Sequence, residues 1–218
     1  MIYLGSDHPV ERSPFPWSTS TRHGVAPACR QGRSTGQARF LHMIYLGSDH
    51  GGFQLKEKVK KWLKEWNMEF ADLGAKTLDS NDDYPEFAFA VAEKVAAESN
   101  SPESKSWKDE PKGVLLCRSA AGMVIAANKV PGIRAAAAFD EKSAQHSREH
   151  NNANVLAISG DWTDESTAQK IIKAWLATEF SKEARHRRRV DQIAIYETPV
   201  GGCCGGDGAG CKCGGDND

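Results

Sequence analysis

A doubly wound α/β sandwich, with a five-stranded parallel sheet between two layers of helices, is the fold class that this sequence predicts. Two observations carry it. Short apolar runs fit for strands alternate strictly with longer helical patterns from residue 43 to residue 198, and such alternation gives a parallel sheet covered on both faces. Turn residues also stand where strands should hand over to helices: Gly47, Ser48 and Asp49 after the first run, and Arg118 to Gly122 after the third.

The first strand covers residues 44–46 and ends at Gly47-Ser48-Asp49-His50. Phe53, Leu55, Val59, Trp62, Leu63 and Trp66 then fall near helical spacing among lysines, which predicts an amphipathic helix over 52–66. Residues 68–73 form a second strand. Asp79 to Asp83 is an acidic turn, and Pro85 suits the first turn of a helix running to about residue 98. The polar stretch 99–112, with two prolines, reads as an exposed loop. Residues 113–116 make a third, buried strand, and the small residues of 120–129 a helix. A strand over 133–139, a helix over 141–149, a strand over 155–159 and a helix over 164–178 follow. A basic helix from about 182 to 196 ends the pattern, which is Rossmann-like.

Composition narrows the function classes. The chain has 218 residues, 39% hydrophobic and 26% charged, as in a water-soluble globular protein. A net charge of −1 gives no electrostatic case for nucleic acid or an anionic membrane. No apolar run approaches the roughly 20 residues that span a bilayer, and the N-terminus lacks the apolar core of a signal peptide, so a cytoplasmic location is expected. Residues 1–8, MIYLGSDH, recur identically as 43–50, yet only the second copy continues into a helical pattern. Residues 1–42 therefore read as a disordered extension with a duplicated start. Of six cysteines only Cys117 lies in the part that should fold, which argues against a disulfide framework. Residues 199–218, rich in Gly and Cys, read as a flexible tail. Its Cys203-Cys204 and Cys211-x-Cys213 pairs could take a soft metal, but their spacing matches no common zinc module.

Cys117 is the residue around which the chemistry is organised. A thiol at a strand end, just ahead of a helix, meets unpaired N–H groups and the positive end of a helix dipole. With Arg118 beside it, a lowered thiol pKa is expected. The bland alternative is a buried core cysteine. The turn from Arg118 through Ser119 to Gly122 could also aim several N–H groups at an anion. With the common strand order 2-1-3-4-5, the ligand crevice lies where the first and third strands end. Asp49, His50 and Cys117 would then converge, although Asp49 could merely cap a helix and His50 be an ordinary loop histidine. His150 and Asn151 precede the fifth strand, at the opposite edge of the sheet, so His150 should not reach the thiol within one subunit. Arg185 and Arg189 share a helix face, which suits a phosphate clamp or an ordinary solvated basic face.

GSDHGGFQLKEKV at 47–59, DYPEFA at 83–88, the Cys117 turn with AANK at 126–129, GIRAA at 132–136, SREHNNANVL at 147–156 and RHRRRV at 185–190 together resemble the type B ribose-5-phosphate isomerases, a family that includes the galactose-6-phosphate isomerase subunits. The resemblance covers residues 43–196. It implies an aldose–ketose isomerase of a sugar phosphate, free of metal and cofactor, working as a homodimer, or a pair of them in a tetramer, with its sites at the interface. It further implies Cys117 as the base, Ser119 as the hydroxyl that handles protons on the sugar oxygens, and His150 of the second subunit as the ring-opening histidine. Asp49 and Tyr84 match sugar contacts, Asn151 an enediolate contact, and His50, Arg185 and Arg189 phosphate contacts; Arg118 and Gly122 belong to the substrate-facing turn.

This chain departs from the family twice. Arg118 and Ala120 stand where the family has glycine, adding bulk and disfavouring a positive φ, and Asp161 stands where the family commonly has a phosphate-binding arginine. Arg118 is expected to supply the cation lost at Asp161. Three rival readings follow: a six-carbon substrate such as allose or galactose 6-phosphate, a silent sugar-phosphate binder, and a metal carrier acting through its tail.

Overall fold

The computed structural model describes residues 43–99 and 110–197. The expectations for residues 1–42, for most of the loop 99–112 and for the tail lie outside the described residues.

Five parallel strands form one sheet: β1 (Ile44–Ser48), β2 (Phe70–Asp72), β3 (Lys112–Cys117), β4 (Ala135–Ala137) and β5 (Val155–Ser159). Helices α1 (Phe53–Glu65), α2 (Tyr84–Ser99), α3 (Ala121–Ala127), α4 (Glu141–Asn151), α5 (Glu165–Ala177) and α6 (Ala184–Glu197) connect and follow them. The strand order is β2-β1-β3-β5-β4, which corrects the expected 2-1-3-4-5. The physical reason lies in the two last strands. All five residues of β5 are buried, whereas β4 is three half-buried alanines, and only a strand apolar on both faces suits the interior of a parallel sheet. Asn128 covers part of β4: its side chain donates to the Ala135 carbonyl at 2.9 Å and accepts from the Ala135 N–H at 2.8 Å.

Alternation along the strands divides the core into two layers. Ile44, Leu46, Val114, Leu116, Leu156 and Ile158 pack with Leu55, Val59 and Leu63 of α1 and Ile171, Ile172 and Trp175 of α5. Tyr45, Leu115, Cys117, Val155 and Ala157 face the other way, against Val91 and Val95 of α2 and Met123 and Ala127 of α3. Each fully buried Leu or Ile contributes about 1.5–3 kcal/mol, so a one-residue slip of β3 would forfeit both layers. The same parity turns Cys117 toward α2 and α3.

A buried cation secures the approach to the site. Lys56 is fully buried, 3.1 Å from Asp72, and donates to the Ala75 carbonyl. This fastens residues 72–75 beside the end of β1, where the Ala75 N–H donates to Ser48 at 3.0 Å. Among the described residues, no helix is long and apolar enough to cross a membrane.

Candidate active site

β1 and β3 pair along their whole length, with Ser48 beside Leu116. From β1 the chain goes to β2 on one side, while β3 leads to β5 and β4 on the other. The crevice at this reversal is where ligands enter doubly wound sheets. The turn after β1 enters it closely: a Cβ on Gly52 would lie 2.0 Å from the Leu116 carbonyl oxygen, so only glycine admits α1 to this position. Asp49 is buried there and accepts the Gly52 N–H at 3.0 Å. Its carboxyl is pushed above the usual range, mainly by burial.

Cys117 is 5% exposed, and its Sγ accepts the Ala120 N–H at 3.1 Å. Its thiol is pushed up, not down as the sequence suggested. Burial between β3, α2 and α3 is the main cause; the Ala120 N–H opposes it, and the Asp49 carboxylate adds to the rise. Arg118 does not help the thiol, because its exposed guanidinium turns away to Asp161 at 3.0 Å. Arg118 and Asp161 thus pair with each other. Arg118 lies over Gly51, where a Cβ would sit 2.2 Å from its Cγ, and it is a paired charge rather than the spare cation expected.

Ala120 adopts φ +66° despite its Cβ. A positive φ of this kind costs a non-glycine residue about 1–2 kcal/mol. Ala120→Gly should therefore stabilise the fold by about 1 kcal/mol, read as a higher urea midpoint. Ser119 is half-buried beside it, with its N–H toward the thiol. The ring of Tyr84, the first residue of α2, covers Gly122, where a Cβ would come within 2.8 Å of the ring. Gly122 therefore makes room for Tyr84, a packing role that the sequence did not reveal. His50 is held by Asp82, whose Oδ1 lies 2.6 Å from Nδ1 and accepts the His50 backbone N–H at 3.0 Å. Asp82 was visible only as part of an acidic turn just before Tyr84.

A second cluster lies at the end of α4. The ring of His150 stacks on His146 at 4.8 Å and meets His186 of α6 at 4.3 Å. His186 is buried, 2.8 Å from the Ser181 hydroxyl through Nδ1, and its pKa is lowered by burial and then by His150 and Arg185. Arg185 and Arg189 flank it on the exposed face of α6, Arg185 paired with Glu183 at 2.9 Å. Asn151 is exposed. The motif around them divides by role. Arg148 is buried, donates to the Ala153 carbonyl at 2.6 Å and to Asn152 at 3.1 Å, and lies over Trp175. Asn154 bridges the Arg134 N–H and the Gly132 carbonyl, both at 2.8 Å. These residues build the bend that carries His150 and Asn151 outward.

The clusters stand at opposite edges of the sheet. Cys117 pairs with Ser159 at one end of β5 and Gly113 with Val155 at the other, a separation of about 13 Å along the strand. His150 precedes that far end. One chain brings Asp49, His50, Cys117, Ser119 and Tyr84 to the first edge and His150, Asn151, Arg185 and Arg189 to the second, and does not unite them. Among the described residues, no group of His, Cys, Asp or Glu could hold a metal ion.

Comparison with known proteins bears on this arrangement. The family profile described as Ribose/Galactose Isomerase matches residues 44–193. Ribose-5-phosphate isomerase B of Mycolicibacterium paratuberculosis is 40% identical over 167 residues, 74% of this chain and 99% of that protein. The enzyme of the same name from Mycobacterium tuberculosis is 40% identical over 154 residues, 71% of this chain and 89% of that protein. Among solved structures, ribose-5-phosphate isomerase B from Mycoplasma genitalium with bound ribulose-5-phosphate superposes with a TM-score of 0.67 at 39% identity, covering 73% of this chain and 98% of that one. Type B ribose 5-phosphate isomerase from Trypanosoma cruzi gives a TM-score of 0.64 at 39% identity, covering 72% and 98%.

Proposed function

Because the chain belongs to the ribose/galactose isomerase family, an aldose–ketose isomerase activity is its premise, and we propose that it interconverts ribose 5-phosphate and ribulose 5-phosphate with Cys117 as base. The thiolate of Cys117 takes the proton from C2, the electron pair moves to the C1 oxygen, and an enediolate forms. The same sulfur returns the proton to C1 while Ser119 relays the proton between the sugar oxygens. One carbon is reduced as its neighbour is oxidised, so the electrons balance within the sugar. The observation that carries this reading is the convergence of a thiol, the Asp49 carboxylate and the N–H groups of the 118–122 turn in the β1/β3 crevice. A base and fixed donors for a developing oxyanion are what proton transfer beside a carbonyl needs.

The substrate's anionic end falls to His50, Arg185 and Arg189, its hydroxyls to Asp49 and Tyr84, and its enediolate to Asn151. Arg118 stands at the rim and reaches an anion only by leaving Asp161. His150 opens the ring, and the opposite edges occupied by His150 and Cys117 support a homodimer in which each crevice takes its histidine from a second copy. A cytoplasmic location belongs to the same reading.

The test is turnover of ribose 5-phosphate and allose 6-phosphate in parallel. Pentose turnover at least tenfold the better in kcat/KM is expected. Preference for the hexose would instead favour the second reading, a six-carbon substrate, which the Arg118–Asp161 pair over Gly51 suggests by reshaping the rim.

A further inference from the structure

We propose that Asp82 is a positioning residue that fixes the His50 ring so that its Nε2–H is presented to the anionic end of the substrate. The proposal rests on the reading given above and adds to it a residue outside the first set of contacts. One oxygen, Oδ1 of Asp82, holds His50 at two points: the backbone N–H at 3.0 Å and Nδ1 at 2.6 Å. The first fixes where the residue sits, the second how the ring is turned. The Asp82 side chain is 11% exposed against 31% for His50, so the carboxylate backs the ring from inside while the imidazole faces outward. Oδ2 of Asp82 is buried without a hydrogen-bond donor. A largely buried carboxylate interacts more strongly with a cation beside it, because it is less screened.

The tautomer follows from this geometry. Nδ1 must carry a proton to donate to Asp82. A neutral ring held this way would turn a bare Nε2, an acceptor, toward an anion. Only the doubly protonated ring offers a donor there, and Asp82 favours that form. Every charged group near the ring bears on it. The Asp82 hydrogen bond raises the His50 pKa and is the largest influence; partial burial lowers it, Asp49 on the adjoining turn raises it, and Arg118 across the crevice lowers it. Arg118 is itself engaged by Asp161 at 3.0 Å. Without Asp82 the balance shifts toward the neutral ring, and the cation is lost at a lower pH.

Asp82→Asn keeps a carbonyl oxygen for the backbone N–H and removes the charge. Inorganic phosphate, with binding measured directly by calorimetry, should bind about tenfold more weakly to this variant. KM for ribose 5-phosphate should rise in step, with kcat falling by less. The basic limb of 1/KM, and the His50 ring titration followed by NMR, should both move to lower pH. Unchanged phosphate affinity and an unmoved His50 titration would overturn the proposal. So would a lowered thermal midpoint with KM intact, which would mark a purely structural carboxylate. Asp82→Ser carries the same comparison if the asparagine variant does not fold. Phosphate binding and the NMR titration need no turnover, so they judge Asp82 even if the protein isomerises neither sugar and the functional reading falls.

Discussion

Cys117→Ala should lower kcat for sugar-phosphate isomerisation by about a thousandfold, the usual contribution of a positioned acid–base group. The substitution removes one buried sulfur from a site whose walls are backbone and small side chains, so folding should survive and circular dichroism should be unchanged. Substrate binding should persist as well, because the phosphate and hydroxyl contacts lie on other residues. The raised thiol pKa adds a second signature. Burial keeps Cys117 protonated at neutral pH, so the reactive thiolate is a minor species that grows with pH. The kcat of the wild type should therefore climb past neutrality toward the thiol's own titration. The alanine variant should show no such rise. Turnover by Cys117→Ala within tenfold of wild type would remove the thiol as base. A wild type that binds phosphate and turns over no sugar would favour the silent sugar-phosphate binder.

Mixing two dead variants should restore activity. Cys117→Ala and His150→Ala are each expected to be inactive alone. If a crevice draws its thiol from one copy and its histidine from the other, a heterodimer of the two variants carries one intact site and one doubly damaged site. Random re-association makes half the dimers mixed, so roughly a quarter of wild-type activity should return. The experiment requires dissociation and re-association, for which brief urea treatment of the mixed sample suffices. Activity that stays at the level of the separate variants would show that both residues act within one chain, or that His150 is dispensable. The register of β3 and β5 argues against the first, since it sets Cys117 and the start of β5 at opposite ends of the ladder.

Element identity was legible because it depends on local pattern. The apolar run at 155–159 is β5 to the residue, and the helical spacing over 52–66 gave α1 within one position at each end. Strand order was not legible, since it depends on which of two short apolar runs better fills the interior of the sheet. Burial on both faces decided for Val155–Ser159 over Ala135–Ala137. The run 133–139 was read too long for a related reason: Ile133 and Ala138 are buried in the core but stand outside the ladder. At the site, the convergence of Asp49 and Cys117 followed from topology alone. The protonation of the thiol did not, because the local rule counts the helix start and Arg118, whereas burial comes from α2, distant in sequence. The direction of Arg118 depended on Asp161, 43 residues away, and the hold on His50 on Asp82, 32 residues away.

The placement of thiol and histidine at opposite ends of β5 has a consequence for the life of the molecule. A newly made chain, once folded, carries every reactive group yet no complete set of them in one place. On the reading advanced here, its crevice holds His50 but lacks Arg185, Arg189 and His150, so it neither grips the phosphate fully nor opens the ring. Assembly is then the step that confers activity, and an unpaired chain is harmless to the sugar phosphates around it.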